Sequence, residues 1–407
     1  MNSGRERDKD VKRFLFKLSI FLFLPLVWII ASVNSLLNEP IDINQIRSWE
    51  SLSVLEKNAF LKGPFYPYMT LHKIEQGDTP HPKRLAVAKD VIWKTDRYGY
   101  RKEDKGMDKY DVVIIGDSQT AGSTLTQNDM LTEKLEKDLG LTTYPYAPSN
   151  ILFYAQDERF QKNPPKIVVL ASAEKLFMNI PDVEGVKSAS FIDQYLSPLA
   201  ANKWVINMAV IFDRLKKKYF VDYFRAMIWR LPEDIKHLMA ISQGQQAKVA
   251  KSGDVNLGPV VVSPQEVREG ETNNINLALD GSMVFSLQSD DAYIEVTDSE
   301  LYWQVQKMLH YQKYFKSQGV RFIIMPIPNK ENIYWEKVPR GKHPTTIPQF
   351  IEKAREVGLE VVDLQTPFEK FHQENPEELL YNIDDTHWNA RGAEMAASIL
   401  AEEIKKK

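Results

Sequence analysis

The pattern of apolar and polar positions changes character several times along the chain. An apolar run goes from Leu18 to Val33, lengthened by Phe14, Leu15 and Phe16 before it and by Leu36 and Leu37 after it. It is greasy on every side and reaches roughly twenty residues or more, enough to cross a bilayer as a helix. Pro25 lies inside it, which a membrane helix tolerates. Arg5, Arg7, Lys9, Lys12, Arg13 and Lys17 precede the run, and Glu39 and Asp42 follow it. The positive-inside rule then puts the N-terminus in the cytoplasm and the rest of the chain outside, periplasmic or extracellular. Residues 1–37 are therefore expected to be a basic tail and single-pass anchor. A cleaved signal peptide is the rival reading, with Ala31-Ser32-Val33 as a fair cleavage site.

Residues 38–105 are mixed and rich in aromatic residues, an ordered lead-in. From Lys109 to Gly116 the pattern is that of a buried strand, with Val112, Val113, Ile114 and Ile115 in succession. A helix is predicted over Met130–Asp138, stopped by Gly140. Ile167–Leu170 is a second buried strand, after the breaker Pro164-Pro165. Residues 181–296 are read as an insertion subdomain. Its first part has helical period, with Trp204, Val205, Met208, Ile211 and Phe212 on one face and Tyr219 to Trp229 beyond. Its second part, 251–296, is polar, with short strand-like runs at Val260–Val262 and Met283–Leu287.

Regular alternation then returns. Thr297-Asp298-Ser299-Glu300 has the form of a capping box, and a helix should run to Ser317. Val320–Met325 reads as a strand, Pro348–Val357 as a helix, Leu359–Leu364 as a strand, and Arg391–Ile404 as an amphipathic helix capped by Asn389. Strands alternating with helices predict an α/β fold: a parallel sheet between helices, built from 106–180 and 297–407.

Composition narrows the function classes. The chain has 407 residues, 43% hydrophobic and 26% charged, so it is not a disordered chain. Its net charge of -3 argues against a nucleic-acid binder. It has no cysteine, which excludes disulfides, Cys-based zinc sites, iron–sulfur clusters and a thiol nucleophile.

Ser118 follows the first strand in Gly116-Asp117-Ser118. Ligand sites in open α/β sheets lie beyond the C-terminal strand ends. A serine there is placed for nucleophilic attack, and its own N–H can help hold an oxyanion. The bland alternative is a Gly-Asp turn with a capping serine. A serine nucleophile needs a base. Of the seven histidines, His72, His81, His237, His310 and His343 have no partner-rich neighbourhood, and His372 reads as a solvated residue on a charged helix. His387 sits in Asn382-Ile383-Asp384-Asp385-Thr386-His387-Trp388-Asn389, with two carboxylates just before it. Either could orient the imidazole, as in a Ser-His-Asp set. The alternative is a capping Asn beside a tucked-in His. Asp-Asp-x-His read as a metal site lacks a second ligand cluster at the required spacing. No motif calls for a cofactor.

The strand–Gly-Asp-Ser block and the closing Asp-Asp-Thr-His-Trp-Asn-x-x-Gly block, with Gly392 last, resemble the SGNH (GDSL-type) hydrolases. Arg97-Tyr98-Gly99-Tyr100-Arg101 looks like the lead-in found before the serine block. Met325-Pro326-Ile327-Pro328-Asn329-Lys330, Ile333-Tyr334 and Val361-Val362-Asp363-Leu364 look like the SGNH-type domains of alginate O-acetyltransferase proteins. The resemblance covers about 95–180 and 300–400. It departs from the pattern in three ways. The second block, Tyr144 to Asn150, has no Gly; the third, Leu170 to Glu174, has no Asn; and Asp-Thr-His-Trp stands after the serine rather than before it. Asn150 is the substitute oxyanion donor on offer. SGNH spacing, three before the histidine, selects Asp384 as the acid; the Asp-Thr-His-Trp form selects Asp385. Asp384 is preferred.

The resemblance implies a membrane-anchored, extracytoplasmic O-acyltransferase working on envelope or secreted polysaccharide through an acyl-serine. It implies an acyl donor, a glycan acceptor and a membrane-bound O-acyltransferase partner. An esterase or deacetylase and a catalytically silent scaffold are the alternatives.

Overall fold

The computed structural model describes residues 16–30, 47–79, 81–183, 202–217, 276–285, 296–339 and 341–406. Val260–Val262, Tyr219 to Trp229 and most of the polar stretch that follows lie outside them. By its contacts the chain divides into one unit drawn from Gln45–Pro198 and Ser252–Lys407 and another drawn from Met1–Asn44 and Leu199–Lys251.

The larger unit opens with an antiparallel pair, β1 (Thr70–Glu75) and β2 (Lys89–Lys94). The main sheet follows: β3 (Val112–Gly116), β4 (Thr143–Tyr146), β5 (Ile167–Ala173) and β6 (Arg321–Ile327), all parallel, in the order β4-β3-β5-β6. A bridge from Ile324 to Val361 adds one more parallel contact beyond β6. The order reverses at β3, so β3 and β5 flank the switch point, where the C-terminal strand ends open a crevice.

The unbroken apolar strands arise because both faces are covered. Val112 and Ile114 pack with helices α1 (Leu131–Leu139), α4 (Gln365–Glu374) and α5 (Ala390–Lys405). Val113 and Ile115 face the other way, toward α2 (Asp298–Ser317) and α3 (Thr346–Glu356). Local chemistry sets the helix ends. Thr297 and Glu300 form the reciprocal capping box of α2. Gly140 stops α1 in the left-handed region at φ 66. Asn389 caps α5 by accepting from the Arg391 and Gly392 N–H groups.

Two details differ from the pattern-based expectation. The strand expected over Leu359–Leu364 shrinks to the bridge at Val361. Leu359 N–H is still bonded to Ala354 at the end of α3, and Asp363 already accepts from Thr366 at the start of α4, so few residues remain to pair. Conversely, β4 contains Pro145, and the pattern did not single it out. It is the edge strand, where a missing N–H costs no ladder bond.

Of the smaller unit, residues 16–30 form a helix with exposed apolar side chains. Among the described residues no helix is long and apolar enough to cross a membrane. The rest of the expected anchor lies outside them. Lys203–Lys216 is a second helix, capped by Asn202, with Ile206, Val210 and Ile211 buried and Trp204 and Phe212 exposed.

Candidate active site

β3 delivers Gly116-Asp117-Ser118 to the switch point. Gly116 has no room for a side chain: a Cβ would lie 2.2 Å from Thr120 Oγ1 and 2.3 Å from the Ala171 carbonyl oxygen. Asp117 is turned inward. One carboxylate oxygen accepts the Gln119 N–H (2.9 Å), the other the Ala173 N–H at the end of β5 (2.7 Å). Burial raises its pKa, and those N–H groups oppose the rise. The turn closes with Ala121 N–H on the Asp117 carbonyl and Ser123 N–H on the Ser118 carbonyl, both 3.0 Å. Among the described residues nothing accepts from the Ser118 N–H, which leaves it free for an oxyanion. Arg101 fastens this turn from below. Its guanidinium stacks 3.7 Å from the Trp93 ring and donates to the carbonyls of Ile92 (3.1 Å), Ala121 (3.2 Å), Gly122 and Leu125 (2.5 Å).

The histidine loop is a tight hairpin closed by the Tyr381–Trp388 bridge. Asn382 binds across it, its side chain donating to the His387 and Trp388 carbonyls at 3.1 Å. Beneath lies Lys330, whose buried ammonium donates to the carbonyls of Val284 (2.7 Å), Asn382 (2.6 Å), Ile383 (3.2 Å) and Asp385 (3.3 Å). Burial brings its pKa down to about 8. Gln119 couples the two halves. Its amide donates to Thr386 O (3.3 Å) and accepts from Trp388 N–H (3.1 Å).

The halves meet at one hydrogen bond, His387 Nε2 to Ser118 Oγ, 2.7 Å. The other ring nitrogen, Nδ1, lies 2.5 Å from Asp385 Oδ1, which also accepts the His387 backbone N–H at 2.9 Å. Asp384, the preferred acid from sequence spacing, does not face the ring. It accepts from Lys89 Nζ (2.6 Å) and from the N–H groups of Gly77 (2.9 Å) and Val87 (3.0 Å). The cause is local. A carboxylate two residues before a backbone N–H closes an Asx-type turn onto it, and that turn carries Asp385 to the imidazole. Its neighbour then points the opposite way.

His387 is buried, which disfavours its charged form. The charge and hydrogen bond of Asp385 outweigh this, Asp78 adds to them, Arg47 subtracts, and the net pKa is raised. Neither Asp78 nor Arg47 was legible as a site residue. Asp78 Oδ2 lies 3.7 Å from His387 Nδ1, and Arg47 Nη1 lies 3.2 Å from the same oxygen. Asp78, Asp385 and His387 form a group compact enough to hold a metal ion. The Arg47 guanidinium already supplies a cation there.

Asn150 caps the helix Ile151–Gln156 by accepting the Phe153 N–H (3.0 Å). Its side-chain amide donates to nothing among the described residues. The Ser149 N–H bonds Gly116 O at 2.8 Å, so this loop runs alongside the serine turn. His372, expected on the surface, is buried instead. It packs edge-on to Tyr334 and pairs with Glu336 at 2.7 Å.

A parallel α/β sheet that brings a serine and a histidine together at its switch point is an arrangement that serine-dependent hydrolases and acyltransferases use. Residues 288–407 match the family model described as "SGNH hydrolase-like domain, acetyltransferase AlgX". That segment contains Asp384, Asp385 and His387 but not Ser118. The chain is 30% identical over 95 residues to "Probable alginate O-acetylase AlgJ" of Pseudomonas putida, covering 22% of this chain and 24% of that protein. It is 29% identical over 98 residues to the Pseudomonas aeruginosa protein of the same name, covering 23% and 24%. The chain thus spans about a quarter of the length of these curated relatives. No solved structure matches it significantly. The chain carries an SGNH-type domain resembling those of alginate O-acetyltransferase proteins.

Proposed function

We propose that this protein is an O-acyltransferase, with acetyl as the acyl group, that modifies a polysaccharide outside the cytoplasm through an acyl-serine on Ser118. The observation that carries the reading is the continuous chain Ser118 Oγ–His387 Nε2 at 2.7 Å and His387 Nδ1–Asp385 Oδ1 at 2.5 Å. His387 takes the Ser118 proton as Oγ attacks the donor's ester carbonyl. The oxyanion is met by the Ser118 N–H, with the Asn150 side-chain amide as second donor. The tetrahedral intermediate expels the donor's alcohol, which takes the proton from His387. A sugar hydroxyl then attacks the acyl-serine and gives its proton to His387; the Ser118–acyl bond breaks, Ser118 Oγ takes that proton back, and the sugar ester leaves. Asp385 holds the imidazole in the productive tautomer and stabilises its charged form.

The exposed apolar helix over 16–30 and the basic residues before it support anchoring by the N-terminus. A membrane-bound O-acyltransferase is the donor-supplying partner in this reading. The test is to incubate the full chain in detergent with an activated acetyl ester and look for acetyl-Ser118 by mass spectrometry. Candidate polysaccharides should discharge it. Wild type should label and Ser118→Ala should not. Discharge to water alone makes the protein an esterase, and absence of labelling leaves only the scaffold role.

A further inference from the structure

The triad is closed on its far side by a residue from outside the SGNH-type blocks. The Asp78 backbone N–H donates to Asp385 Oδ2 at 2.8 Å, the carboxylate oxygen that does not face the imidazole. The Asp78 side chain reaches the same loop. Its Oδ1 accepts the Thr386 N–H at 3.2 Å and the Thr79 hydroxyl at 3.1 Å, and its Oδ2 faces His387 Nδ1 at 3.7 Å. Arg47 stands behind, with Nη1 3.2 Å from Asp78 Oδ2 and 4.0 Å from Asp385 Oδ2, and is itself gripped by Glu50 at 3.0 Å. Three charged side chains therefore converge on one imidazole edge, two of them from residues 47–78.

We propose that Asp78 and Arg47 are a pair of opposed positioning residues that set how strongly His387 holds its proton. The inference rests on the acyl-serine reading above. A second carboxylate near Nδ1 makes the imidazole a stronger base toward Ser118 and steadies the imidazolium formed in both half-reactions. Taken alone it would also trap His387 in its charged form, which cannot accept the serine proton. The guanidinium limits this by neutralising Asp78 and lying near Asp385. The other groups around the ring are already committed. Asp117 is bonded to two backbone N–H groups, the Lys330 ammonium is spent on four backbone carbonyls including that of Asp385, and Ser118 occupies Nε2. The Asp78 carboxyl is held at about 2: burial opposes ionisation, and His387 and Arg47 overcome it. Asp78 therefore stays charged while His387 titrates.

The experiment uses the full chain in detergent with 13C-labelled histidine. The His387 resonance is the one lost in His387→Gln, and its titration is followed by NMR. In parallel, the rate at which a fluorophosphonate labels Ser118 is measured against pH. Asp78→Asn keeps the backbone bond to Asp385 and should move both midpoints down by about half to one pH unit. Arg47→Gln should move both up by a similar amount, and the double variant should return close to wild type. Arg47→Lys keeps the charge and should stay within about 0.3 unit; it serves if Arg47→Gln does not fold. Shifts in the same direction, or no shift with only a loss of thermal stability, would overturn the proposal. If wild type never labels at Ser118, the acyl-serine reading fails, and the imidazole titration alone decides this inference.

Discussion

The serine turn and the histidine loop meet at 2.7 Å, yet different kinds of information hold them. The serine turn is built mostly from its own neighbourhood. A buried strand, a glycine with no room for a Cβ and an aspartate bonded two residues ahead fix Ser118 within one short segment. The histidine loop is held from afar. Lys330 supports it from below, Gly77, Asp78 and Lys89 grip its carboxylates from the side, and Gln119 spans to it from the serine turn. A serine on a strand end can thus be specified locally. The histidine, 269 residues later, needs most of the unit folded around it.

The largest test of this contrast lies in the two adjacent aspartates. Asp385→Asn leaves the loop in place but lets the imidazole take the wrong tautomer. The turnover of an activated ester should fall by about 10³- to 10⁴-fold. Asp384→Asn should do the reverse. It leaves the Lys89 ammonium, nearly buried, without its carboxylate, at a cost of about 3–5 kcal/mol. Activity per folded molecule should stay within about tenfold of wild type. Steady-state kinetics and urea unfolding on both variants give the answer. Equal losses on both scales would mean that the carboxylates are not divided into one for the ring and one for the clamp.

Arg101 tests whether the serine side is as local as it looks. Its guanidinium is fully buried, spans four carbonyls and stacks on Trp93. Burial pushes its pKa down to about 9, yet it stays cationic at neutral pH. Lysine offers a point charge in place of a planar fork and cannot reach all four acceptors. Arg101→Lys should destabilise by about 2–3 kcal/mol and slow Ser118 labelling by about tenfold. Unchanged labelling in a destabilised variant would show that the turn needs nothing beyond β3 and Asp117.

The same contrast explains what the sequence disclosed. The sheet, its flanking helices and the Ser118 and His387 positions were legible, because strand runs, caps and the Gly-Asp-Ser and Asp-Thr-His-Trp-Asn strings are local patterns. The edge strand with Pro145 was not, since its proline reads as a breaker until its place in the sheet is known. Asp78 and Arg47 sit in Gly77-Asp78-Thr79 and Arg47-Ser48, strings with no signature. Their role exists only through contacts some 300 positions away in the chain. The choice between Asp384 and Asp385 turned on which one closes an Asx turn, a backbone matter that spacing alone does not decide.

The smallest effect expected is a matter of pH. Glu174 follows Ala173, the residue whose N–H holds Asp117, and it is buried against the side-chain amides of Asn332 (2.8 Å) and Asn329 (3.1 Å). Burial pushes its carboxyl up to about 7; Glu331 adds to the rise, and the Asn332 and Thr346 hydrogen bonds oppose it. A raised carboxyl pKa means that the folded state keeps its proton longer than the unfolded chain. Below the ordinary glutamate value of 4.5 both states are protonated, and the group contributes nothing. Between there and about 7 only the unfolded chain releases the proton, so stability falls as pH rises, and above about 7 the loss is complete. Glu174→Gln keeps an oxygen for the two asparagines and removes the titration. It should match wild type near pH 4 and be more stable by about 3 kcal/mol at pH 8. The pH dependence of Ser118 labelling should not move, because the charges acting most strongly on His387 are those of Asp385, Asp78 and Arg47. Urea unfolding of both proteins across that range is the measurement. Parallel stability profiles would place the Glu174 proton elsewhere. A shifted labelling profile would show that the serine side carries a titrating group of its own, and the contrast between a local half and a clamped half would then fail.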